Sequence, residues 1–76
     1  MGQWSEGLEN TTREEAYPGA MMKCSDGRYG FMAVREEGLV KIVGVNAESF
    51  MPVPTKEVIA EFSGIEEMIE AGWVID

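Results

Sequence analysis

The stretch Ala20–Gly44, AMMKCSDGRYGFMAVREEGLVKIVG, constrains this chain more than any other, because two glycine-marked turns divide it into three apolar runs. Asp26-Gly27 is a strong hairpin signal, since a tight two-residue turn needs positive φ at both central residues and Asp and Gly tolerate it best. Glu36-Glu37-Gly38 reads as a three-residue loop with Gly38 in the left-handed position. A three-stranded antiparallel meander is the expectation.

The turns also set a register. With Asp26-Gly27 as the loop, Cys24 faces Tyr29, Met22 faces Phe31 and Met21 faces Met32. With Arg35 facing Leu39, Val34 faces Val40, Met32 faces Ile42 and Phe31 faces Val43. Opposed residues share a face. One face therefore carries Met21, Met32, Val34, Val40 and Ile42, and the other Met22, Cys24, Tyr29, Phe31 and Val43. Lys23 and Arg28 fall near the rim of the first face and Lys41 on the second. A simple two-layer sheet shows one polar face, so two apolar faces predict a sheet curled into a small SH3-like, partly open barrel or covered on its second side. Gly30 and Gly44 stand opposite each other where the backbone must bend or approach closely.

The flanks add little regular structure. Residues 1–19 lack a period and read as a flexible acidic tail, with a short helical turn from Thr12 to Ala16 capped by Thr11 or Thr12 and ended by Pro18-Gly19. Asn46 to Ser49 reads as a turn. Phe50 to Pro54 holds two prolines and is demoted to an edge strand or an extended crossing segment, while Lys56 to Phe62 alternates at a strand period, the preferred reading, although Val58 and Phe62 also stand four apart as on a helix. Ser63 then caps a helix from Gly64 to Glu70 or Ala71, with Glu66 reaching back, Ile65, Met68 and Ile69 as the apolar stripe, and Gly72 as the stop. Trp73-Val74-Ile75 closes the core as a last short strand. The fold class is mainly β with one short helix, in a single domain over residues 20–76.

Composition limits the chemistry. The chain has 76 residues and no histidine, so the commonest general base and metal ligand is missing. Cys24 is the single cysteine; it reads as a packed strand residue, and a lone thiol fits a reducing, cytoplasmic setting better than a disulfide scaffold. Glu66, Glu67 and Glu70 could share a cation but lack calcium-loop spacing. No run is apolar enough to span a bilayer and no leader is recognisable. The net charge of −8 is uneven: residues 20–44 hold four bases against three acids, and the acidic excess lies on both sides. Phosphate-backbone binding is disfavoured by the absence of clustered Lys and Arg.

What remains is apolar surface. Six methionines and seven aromatic residues exceed what so small a domain can bury with ease. The expected function is a non-enzymatic protein-interaction domain binding a protein partner or a second copy of itself, without cofactor, nucleic acid or membrane. The candidate interface is Met22, Tyr29, Phe31, Val43 and Trp4, with Trp4 open to two readings, a handle folded back on the domain or an exposed anchor. Two further readings stand beside it: an acidic nucleic-acid mimic built on Glu57, Glu61, Glu66, Glu67 and Glu70, and a ligand binder or enzyme using Lys23, Arg28 and Tyr29.

Overall fold

A computed structural model describes residues 4–46 and 51–76. In chain order the elements are α1 (Glu6–Glu15), β1 (Met21–Cys24), β2 (Tyr29–Glu36), β3 (Leu39–Asn46), β4 (Val53–Phe62), α2 (Ile65–Glu70) and β5 (Trp73–Ile75). The strands form one open antiparallel sheet in the order β4-β3-β2-β1-β5. The chain is mainly β, as expected, with two short helices in place of one. The expected turn at Ala47 to Ser49, and Phe50, lie outside the described residues.

The first hairpin differs from its predicted register by one residue. Met21 pairs with Phe31, Met22 with Gly30 and Lys23 with Tyr29. The cause is the turn: the Gly27 amide donates to the Cys24 carbonyl at 2.9 Å, and the Cys24 amide donates to the Arg28 carbonyl at 2.8 Å. Three residues, Ser25 to Gly27, therefore form the loop. Only Gly27 has positive φ, at 96°; Asp26 uses its carboxylate instead, accepting from the Arg28 amide at 3.0 Å and from Arg28 Nε at 2.7 Å. A one-residue slip moves a whole strand to the other face. Met22 and Cys24 thus join Met32 and Ile42, and Met21 and Lys23 join Phe31.

The second hairpin hides a compensation. Phe31 pairs with Val43 and Met32 with Ile42, as predicted, but Val34 pairs with Lys41, Arg35 with Val40 and Glu36 with Leu39. The turn is one residue shorter than expected, with Gly38 at φ 85°, and a bulge at Ala33 absorbs the difference. A bulge re-aims the side chains beyond it. Arg35 is turned onto the side where the helices lie, donating to the carbonyls of Ala16 at 2.6 Å and Arg13 at 2.7 Å.

Residues 6–15, expected to be tail apart from a helical turn at Thr12 to Ala16, are the docked helix α1. Ser5 caps it, accepting from the Leu8 amide at 3.2 Å, and Arg35 takes up its last carbonyls. α2 begins one residue later than expected, with Gly64 at the cap position. Ser63 donates to Glu67 Oε2 at 2.7 Å and its amide meets Glu67 Oε1 at 3.3 Å, so Glu67 performs the return contact assigned to Glu66. Gly72 ends the helix at φ 104°.

Both helices cover one face of the sheet. Met22, Cys24, Met32, Val40, Ile42 and Trp73 pack there against Ala16, Met68 and Ile69. Gly30 lies beneath this layer because nothing larger fits: an added Cβ would stand 2.5 Å from Ile42 Cγ2 and 2.7 Å from the Val43 carbonyl oxygen.

Candidate interaction face

Among the described residues no helix packs across the opposite face, although at its β5 end Val74, beside Lys23, is fully buried. Across the face runs a row set by register alone: Met21 beside Phe31, Phe31 beside Val43, Val43 beside Val58. Tyr29 stands next to this row, beside Lys23. Tyr29 is 52% exposed and Val58 45%, whereas Val43, flanked on both sides by the row, is 7% exposed. Large apolar groups left open beside each other are the usual mark of a contact surface.

Of the predicted interface residues, Tyr29, Phe31 and Val43 share this face. Met22 does not belong to it. Its strand slips by one residue, and Met22 is 0% exposed within the core. Trp4 is folded back at the β1–β5 end, where its indole Nε1 donates to the Gly72 carbonyl at 2.7 Å and Lys23 Nζ lies 5.0 Å from the ring centroid. Lys23 also reaches Asp76, at 3.8 Å. Val58 and Met21 are the members that sequence reasoning missed. The register would have given Met21 had the first turn been read as three residues long.

The two edges of the sheet are treated differently. On β5 the outward Ile75 amide is taken by Thr12 Oγ1 of α1 at 3.0 Å. On β4, the other end of the sheet, no element among the described residues covers the edge. Its ladder with β3 carries two irregularities, it contains Pro54, and Lys56, Glu57 and Glu61 are charged. Bulges, proline and charge are the features that keep an edge from recruiting another strand.

The other candidate chemistry is dispersed or occupied. Arg28 lies on the helix side with its guanidinium 5.3 Å from the Trp73 ring centroid, so it is not grouped with Lys23 and Tyr29. Cys24 is buried. Among the acids weighed for a cation site or a nucleic-acid mimic, Glu66 is bound by Arg13 at 2.6 and 2.9 Å, which holds its carboxyl below the ordinary value. Glu67 is bound by Ser63, and Glu61 lies in the sheet opposite Lys41. Among the described residues no group of three or more His, Cys, Asp or Glu side chains is arranged to hold a metal ion, and no helix is long and apolar enough to cross a membrane. A cleft of about 380 Å³ opens between Tyr17, Arg35, the Glu36–Gly38 turn and Gly64-Ile65. Arg35 within it is committed to the α1 carbonyls and to the Tyr17 ring, 4.7 Å away.

No family model, no curated protein and no solved structure matches this chain. Fold and face together define a class alone: a small mainly β domain with one helix-covered and one open sheet face.

Proposed function

We propose that the chain is a small non-enzymatic protein-interaction domain that docks a partner on the helix-free face of its sheet. The observation that carries this is the row Met21, Phe31, Val43, Val58 with exposed Tyr29 beside it. An apolar centre ringed by polar groups is the anatomy of a protein interface. The finer architecture we infer is a partly open SH3-like barrel. Supporting it are the β1-to-β4 meander, the short helix between β4 and β5, and the return of β5 beside β1. The lone thiol of Cys24 supports a reducing, cytoplasmic setting.

A second copy and a different protein are the two occupants to separate. Sedimentation equilibrium over a wide concentration range, with the Tyr29→Ser and Val58→Asp variants beside the parent, does so. Both substitutions lie at exposed positions and should leave the fold intact. Loss of self-association, or of binding to an isolated partner, in both variants supports the reading. A partner that binds the parent and both variants equally, through residues of the helix side, refutes it.

A further inference from the structure

The open apolar row crosses four strands of the sheet: Val58 lies on β4, Val43 on β3, Phe31 on β2 and Met21 on β1. β5 also supplies a residue to this side. Val74 pairs with Lys23, which by strand alternation shares a face with Met21. Val74 is 0% exposed, yet it lies outside the buried cluster that the helices form with Met22, Met32 and Trp73. The main core therefore does not account for its cover. The side chain held at this place is Trp4. Its indole Nε1 donates to the Gly72 carbonyl at 2.7 Å, just ahead of β5, and its ring centroid lies 5.0 Å from Lys23 Nζ. The two contacts bracket the Lys23–Val74 pair.

Resting on the interaction-face reading, we infer that Trp4 is an autoinhibitory clasp on that face. Closed, it covers Val74 and stops the apolar row at β1; open, it lets the row run across all five strands. Its position allows it to open alone. Trp4 precedes Ser5, the cap of α1, and the helix stays anchored through Thr12, Arg13 and Arg35 when the ring swings away. Opening also leaves no polar group stranded. The Gly72 carbonyl keeps the Ser25 amide at 3.0 Å, and Lys23 keeps Asp76 at 3.8 Å. A buried group left without a partner is what makes such a contact hard to break, and that cost is absent here. One neutral hydrogen bond and one ring–cation contact at a part-exposed lysine hold a side chain closed by on the order of tenfold. An apolar side chain of a partner gives Val74 the same cover as the indole and so takes its place.

The test uses the full chain, isotope-labelled, with the apolar dye anilinonaphthalene sulfonate as the probe. In the parent, the Trp4 indole proton should be protected from exchange only about tenfold, while the amides of the β2–β3 ladder open with the whole domain. Trp4→Ala should bind the dye about tenfold more tightly than the parent, because the competent state no longer has to be released first. The amides shifted by the dye should extend from Tyr29, Phe31, Val43 and Val58 to Lys23 and Val74. Trp4→Phe, which keeps a ring without the donor, should fall between the two. Equal affinity and the same shifted amides in parent and Trp4→Ala overturn the clasp and leave the interaction face standing. An indole proton as slow as the β2–β3 ladder does the same. Loss of amide dispersion in Trp4→Ala makes Trp4 a member of the core and overturns the clasp too. Dye shifts confined to the helix side in both proteins refute the interaction face and the clasp together.

Discussion

Thr12 and Ile75, sixty-three residues apart, are joined by one hydrogen bond that closes the β5 edge of the sheet. Thr12 Oγ1 accepts from the Ile75 amide at 3.0 Å while donating to the Leu8 carbonyl at 2.8 Å. Thr12 is fully buried, so neither group has water as a substitute. Thr12→Val keeps the shape and removes the acceptor. It should cost about 1–3 kcal/mol by leaving a buried amide unpaired, and in urea unfolding a midpoint equal to the parent's would show that water replaces the hydroxyl.

The contact between Arg35 and the end of α1 gives a second prediction. Its fork spans two carbonyls at once, which a lysine cannot copy. Arg35→Lys should loosen α1 by about 1–2 kcal/mol, read as faster hydrogen exchange in residues 9–16 while the β2–β3 ladder keeps its protection. Equal acceleration in both regions would place Arg35 in the global core instead.

Two glycines should respond with opposite signs. Gly30→Ala pushes a methyl into Ile42 and the Val43 carbonyl, with a loss of about 1–3 kcal/mol. Gly7→Ala, in the first turn of α1 with nothing within 4 Å of the added carbon, should gain about 0.5 kcal/mol through a stiffer unfolded chain. Thermal melts of the two variants decide it, and destabilisation by Gly7→Ala would mean that α1 is not helical at that point.

Acid should loosen the hold on α1. Glu66 is held below its ordinary 4.5, chiefly by the hydrogen bonds from Arg13, and Asp26 below its ordinary 3.8, chiefly by the Arg28 amide. A folded value below the unfolded one means that the contribution is complete above the unfolded value and is lost as pH falls through the folded one. Hydrogen exchange in α1, corrected for intrinsic rates, should therefore speed up as pH falls below the ordinary glutamate value of 4.5. Arg13→Gln should flatten that dependence; an undiminished slope would remove the Arg13–Glu66 tie as its source.

Trp73 is 1% exposed at the centre of the core. Trp73→Ala should cost about 3–5 kcal/mol, a large share of the stability of any small domain. A parent-like melting curve would contradict the packing of β5.

Much of this architecture was legible because local chemistry and tertiary demand coincide. Gly38 and Gly72 take the positive φ that their positions announced, and β4 is the proline-marked edge strand. The first hairpin was misread because Asp-Gly suits two turn lengths, and the longer one is selected by Asp26 reaching Arg28. Ala33 bears no sign of being a bulge. Its extra residue nonetheless offsets the shorter second turn, which is why Phe31 and Val43 were paired correctly while Met22 was assigned to the wrong side. α1 is legible only as the short helical turn from Thr12 to Ala16, because Thr12 is its one buried residue and no apolar stripe signals the rest. Its anchors come from Arg35 and Ile75, far along the chain.

Trp4 and Asp76 converge on a single amine, that of Lys23. The indole also holds the Gly72 carbonyl, so a molecule reaching this corner of the helix-free face has to displace the ring or compete with the carboxylate for the amine, and the free approach lies toward Tyr29 and Val58.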